Sequence, residues 1–147
     1  MSGKDRRLTA LIAYDAFLQV AHLCAMLWSL HLYRQQGEIT FLAAPPSGGW
    51  SGQSESFLLA LGAVDFLNAL LTLFFAFGYL ARRHWWPRTG LVALTISITS
   101  ALVYGLATGM SGAWLEHPLD YILLVALFLP LIPLFFMLLN RRAPDLV

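Results

Sequence analysis

Asp15, Gln19 and His22 stand four and three positions apart, and Asp65, Asn68 and Thr72 stand three and four apart, each trio inside a long apolar run. On a helix such spacings put all three side chains on one face. The residue types can do chemistry: carboxyl groups and an imidazole exchange or share a proton, while amides and a hydroxyl orient them. Ionisable groups in apolar surroundings are costly and mark functional candidates by default. A plainer role is interhelical glue, which stabilises membrane bundles by about 0.6 kcal/mol per hydrogen bond. Gln19, Asn68 and Thr72 suffice for glue, whereas Asp15, His22 and Asp65 exceed what packing requires.

The elements that must hold these residues follow from composition. Charged residues make up 12% of the 147 and hydrophobic residues 59%, with a mean hydropathy of +0.68. A water-soluble domain carries about 25% charged residues, so lipid must solvate much of this exterior. The length suits one compact unit. A membrane-crossing helix needs about 20 mostly apolar residues, and four stretches qualify: 8–32, 56–81, 89–110 and 119–140. The connections are a long one, 33–55, and two short ones, 82–88 and 111–118. The long one contains A-A-P-P-S-G-G-W-S-G, which forms neither helix nor regular strand. The expected fold is therefore an all-α integral membrane protein, a four-helix up-down bundle in one domain.

Basic residues set the expected orientation. Lys4, Arg6 and Arg7 precede the first stretch, Arg82, Arg83 and Arg88 join the second and third, and Arg141 and Arg142 follow the fourth. Arg34 alone lies on the other side. By the positive-inside rule both termini face the cytoplasm, and Trp50, Trp85, Trp86 and Trp114 near the stretch ends fit an aromatic belt. The expected location is a plasma or inner membrane. A cleavable signal peptide would have a shorter apolar core than 8–32, so the first stretch is expected to remain in the mature protein.

At about 1.5 Å per residue, His22 and Asp65 fall at a common depth, as do Gln19 with Asn68 and Asp15 with Thr72. Antiparallel neighbours would then form a ladder of three polar rungs. In the third stretch Ala93, Ser97, Ala101, Gly105 and Gly109 recur at every fourth position, a small-residue stripe that seats a close helix. Its expected partner is a helix of the same bundle, with a homo-oligomer or another membrane subunit as the alternative. Pro130 and Pro133 interrupt the fourth stretch. Each removes a donor, leaving the carbonyls of Ala126 and Leu129 to find other partners or a cavity.

Several chemistries are narrowed. The single Cys24 excludes an intrachain disulfide, a dithiol redox pair and a cysteine metal cluster. His31, Glu116, His117 and Asp120 lie near one end of the bundle and form a weak metal candidate, since E-H-P-L-D is no ligand signature. Only His22 lies well inside a span, so the chain alone lacks the two facing imidazoles of a b-type haem site, and no cofactor is expected. No nucleophile elbow, phosphate loop or zinc-protease motif occurs. The net charge of +1 carries no nucleic-acid footprint. The expected partners are the bilayer and a small lipophilic ligand. The function expected from the residues is that of an accessory subunit or lipophilic-ligand binder with a polar seam between the first two helices. The alternative is a membrane enzyme doing acid–base chemistry on a lipid, sterol or quinone, or a proton-coupled carrier, using His22, Asp65 and Asp15. An enzyme or carrier needs the seam open to ligand or water, whereas a structural subunit needs it sealed and fully hydrogen-bonded.

Overall fold

The structure is a computed structural model that describes residues 3–37, 39 and 44–140, with residues 3, 4 and 36 described by backbone alone. The Lys4 side chain, Arg141 and Arg142, all counted above toward orientation, lie outside the described residues, as do 38 and 40–43 of the long connection. The described residues are mostly helical, with no strand among them: α1 Gly3–Gln36, α2 Gly52–Leu80, α3 Trp86–Met110, α4 Ala113–Glu116, α5 Pro118–Phe128 and α6 Leu131–Leu139. Four helices are long and apolar enough to cross a membrane, the fourth being α5 and α6 taken together, Pro118–Leu139. Three of the four begin earlier than apolarity alone suggests, by three to five residues, because the polar first turns are helical too. The fourth begins one residue earlier, at Pro118.

Local chemistry explains where the helices stop. Ser51 caps α2 by accepting from the Ser54 backbone N–H at 3.3 Å. At the other end Arg82 takes a left-handed conformation (φ 51°). That lets the Arg83 N–H reach back to the Gly78 carbonyl at 2.9 Å and the Arg82 N–H to Tyr79 at 3.1 Å. Pro87 in the first turn of α3 loses no helical hydrogen bond there. Gly112, at φ 84°, turns the chain from α3 into the short α4, a turn of helix that the apolar pattern does not reveal.

Packing runs α1 on α2, α2 on α3, α3 on α6 and α6 on α1, while α5 leans on α3 and α4. Two apolar clusters hold the bundle, one at each end. At the end near the termini, Leu8, Ile12, Phe75, Trp86, Leu94 and Leu134 pack together. At the loop end, Ile39, Leu58, Tyr104, Ala113 and Tyr121 do the same. The polar residues occupy the level between them.

Pro130 breaks the fourth helix, as its missing donor requires, and α6 starts one residue later. The Leu129 carbonyl accepts from the Ile132 N–H at 3.2 Å across the break. Beside the break the Tyr14 hydroxyl of α1 donates to the Leu127 carbonyl at 2.8 Å. The small-residue stripe requires a correction. Ala93 and Ser97 are buried, but an added Cβ on Gly105 would meet only Trp114, at 3.6 Å, and one on Gly109 would meet nothing within 4 Å. The tight contact at an α3 glycine lies at Gly90 instead, where a Cβ would stand 2.6 Å from the Phe75 ring and 2.8 Å from the Leu138 side chain. The reason is the break in the fourth helix, because α6 rather than α5 is the segment seated deepest against α3.

Candidate functional site

Gln19 and His22 of α1 and Asp65 and Asn68 of α2 line one cavity of about 260 Å³. It is neither sealed nor flat, but a partly open cleft. Asp15 and Thr72 do not line it: they lie one helical turn beyond, 0% and 1% exposed. Four of the six residues singled out by spacing thus share a cavity, and the other two are buried behind its floor.

Two of the three rungs are not as the depth argument draws them. Gln19 donates its Nε2 to Asp15 Oδ1 along its own helix, at 3.5 Å. Asn68 donates its Nδ2 to Ser97 Oγ of α3, at 2.8 Å, and Ser100 of α3 hydrogen-bonds the Asp65 side chain. Among the described residues no hydrogen bond joins Gln19 to Asn68 or Asp15 to Thr72. The physical reason is competition. The polar face of α2 looks toward α3 as well as α1, and α3 offers hydroxyls at the matching level. The seam is consequently underfilled: Asp15 Oδ2, Asn68 Oδ1 and Thr72 Oγ1 have no hydrogen-bond partner among the described residues. Native interiors leave few such atoms, and each calls for an explanation.

The third wall was missed. Ser97, Ser100 and Tyr104 of α3 line the cavity, spaced three and four apart like the trios of α1 and α2. The same spacing test finds them, and three members of the small-residue stripe, Ser97, Ala101 and Gly105, are cavity wall. The fourth wall is apolar, formed by Leu124, Phe128 and Leu129 of the broken helix with Ile132 beyond the break. The polar side and the apolar side therefore face each other across the space.

Aromatic rings close the loop end. Trp114 stacks on Tyr121 with centroids 5.3 Å apart, and Tyr104 lies 6.5 Å from Tyr121. The Trp114 indole donates to Thr108 Oγ1 at 2.9 Å. The described part of the long connection is tied across this end. Tyr121 donates its hydroxyl to the Ala44 carbonyl at 3.1 Å, and Ser47 donates its backbone N–H to Glu116 Oε2 at 2.6 Å. A second space, of about 550 Å³, lies between the loop-end halves of α1 and α2, lined mainly by apolar side chains such as Met26, Leu58 and Phe66.

The weak metal candidate is corrected. Among the described residues no three His, Cys, Asp or Glu side chains are grouped to hold an ion. Glu116 spends its carboxylate on Ser47, with Ser47 Oγ 3.3 Å from Oε1, and His31 pairs with Gln35 at 3.1 Å. His31, Glu116, His117 and Asp120 therefore do not bring three ligands together.

Compared with protein-family models, curated proteins and solved structures, the chain matches none. Its reading rests on the geometry of the cavity.

Proposed function

We propose that this chain is a multi-pass membrane protein, with both termini cytoplasmic in a plasma or inner membrane, that binds a small lipophilic molecule in the cavity between its helices. One observation carries the reading. The polar seam encloses space, with Gln19, His22, Asp65 and Asn68 on one side and the apolar wall of the broken helix on the other. A helix pair that served only as glue would close that space and satisfy its polar atoms, as buried groups ordinarily are. Ligand sites are mostly apolar concavities with a few convergent polar groups, typically about 300–1,000 Å³. At about 260 Å³ the cavity suits a polar head and the first part of an apolar body.

A second reading, a membrane enzyme or proton-coupled carrier, is supported by the presence of His22 and Asp65 in the same cavity. Both readings place the ligand at the same seam. Asp65→Asn separates them: it keeps the shape and removes the titratable group, so a binder of an uncharged molecule retains its ligand while an enzyme or carrier loses turnover.

The test of binding is chemical. Protein purified in mild detergent should carry a co-purifying apolar molecule recoverable by solvent extraction and identified by mass spectrometry. Ala101→Phe, which fills the cavity from α3, should lose it while the helical circular dichroism is retained. Equal content in the two proteins would end the proposal.

A further inference from the structure

The cavity's lining changes character from one side to the other, and the change locates its mouth. On α1 and α2, the lining residues Gln19, His22 and Asn68 are buried and Asp65 is half-buried. The exposed residues of the lining are Leu102 of α3 with Val125, Leu129 and Ile132 of the broken helix. A side chain that both lines a cavity and meets the surroundings stands at its rim, so the mouth lies between α3 and the fourth helix. The break at Pro130 explains the gap, because α6 is seated deepest against α3 and the residues before the break stand further off. The mouth is at mid-span, with Leu102 well inside Trp86–Met110 and Leu129 well inside Pro118–Leu139. Both ends of the bundle are filled by described residues. Trp114 stacks on Tyr121 beneath the tied connection at the loop end, and Leu8, Ile12 and Phe75 pack together at the end near the termini.

Given the binding role proposed above, we infer that the ligand is a membrane-dissolved amphiphile longer than the cavity. It enters sideways from the bilayer between α3 and α5, polar end first, and leaves its apolar body in lipid. Three features lead there. The rim is apolar, so a hydrocarbon chain crosses it without losing favourable surroundings. The depth is polar, so a polar end that would be unpaired in hydrocarbon finds partners only after passing the rim. At about 260 Å³ the cavity is smaller than the roughly 300–1,000 Å³ of sites that enclose most of a ligand. The remainder of a longer molecule must project through the mouth, where it meets the hydrocarbon core. A compact solute delivered from water would instead have to pass the aromatic stack or the apolar cluster at one end.

The full chain in phosphatidylcholine nanodiscs is irradiated with two hexadecanol probes, one carrying a diazirine beside the hydroxyl and the other at the tail end. Labelled residues are identified by mass spectrometry, with exposed Phe17 as the reference for contact with lipid. The head-end probe should label Gln19, His22 or Asn68, and the tail-end probe should label the exterior without them. Leu102→Trp and Val125→Trp narrow the mouth from opposite sides, and each should lose the buried labelling while Phe17 keeps its own. Leu106→Trp, exposed on α3 but outside the lining, should lose nothing. Glu116→Ala, which releases Ser47 at the loop end, should leave the labelling unchanged. Buried labelling that survives both rim substitutions, or rises with Glu116→Ala, would overturn the lateral mouth while the binding role stands. Equal buried labelling by the two probes would overturn the polar-end-first orientation. Buried labelling by neither probe would overturn the amphiphile assignment, and the co-purification test above then decides the binding role on its own. Should one rim variant not fold, the other decides.

Discussion

Asp15 is fully buried, holds one long hydrogen bond from Gln19 and leaves Oδ2 unmatched. A carboxyl group in that state costs stability rather than supplying it. Asp15→Leu is therefore expected to leave the thermal unfolding midpoint in detergent unchanged or raised. A loss of about 3 kcal/mol or more, the usual cost of breaking a buried charged pair, would show that the carboxylate is matched in the membrane after all. The Asn68–Ser97 bond has the opposite expectation. A double-mutant cycle on Asn68→Ala and Ser97→Ala should give a coupling of about 0.6 kcal/mol, the average for such bonds between membrane helices; strict additivity would mean that the two side chains do not meet. At this scale the sequence was legible through spacing. The trios of α1 and α2 were found because three- and four-residue intervals put them on shared faces. Their partners were not found, because depth arguments rank helices by level and say nothing of azimuth. Only packing decides that Asn68 turns to Ser97 of α3 and away from Gln19 of α1.

Helices two and three show how a glycine's value depends on what stands opposite it. A Cβ on Gly90 would press into Phe75 and Leu138, both part of the apolar cluster near the termini. Gly90→Ala should cost about 1–3 kcal/mol through overpacking, read from unfolding in detergent. Gly105→Ala meets only Trp114 at an ordinary contact distance. It should be neutral or stabilising by up to about 1 kcal/mol, since alanine is the better helix former. The reverse order would restore the stripe as the tight helix contact. The interval-of-four pattern was visible in the sequence, yet it contains no information on which of its members faces a backbone and which a void. The prolines of the fourth helix were more informative. A missing donor must interrupt the hydrogen-bond ladder wherever it occurs, so the break at Pro130 was legible. That Tyr14 would supply a donor to the Leu127 carbonyl beside it depended on the neighbour chosen by packing.

Taken whole, the molecule wears its apolar residues outward. Only 17% of the most apolar window of Pro118–Leu139 is buried, and 22% of that in Gly52–Leu80, while Leu106, Met110, Phe17 and Leu67 are each more than 60% exposed. A monomer in water exposes no such continuous surface, so lipid is the solvent that the exterior fits. The interior shows the converse order, with apolar clusters at the two ends and polar side chains between them. Composition made the four long helices legible, because so few charged residues leave long, nearly uninterrupted apolar stretches. Orientation is a separate matter, since nothing in the packing of helices tells one face of a membrane from the other. It rests on the charge of the connections. Arg82, Arg83 and Arg88 lie at one end of the bundle with Arg6 and Arg7, and all five are exposed there. The opposite end holds Arg34 alone among the described basic residues. Moving the basic cluster across a membrane is resisted, so that end should stay in the cytoplasm. Fusions of a periplasm- or lumen-active reporter at Gly48 and Ser111 should be active, and fusions at His84 and Asn140 inactive. A cytoplasm-active reporter should give the mirror pattern. Activity at Gly48 on the cytoplasmic side would invert the orientation, and equal activity at Gly48 and His84 would mean that α2 does not cross.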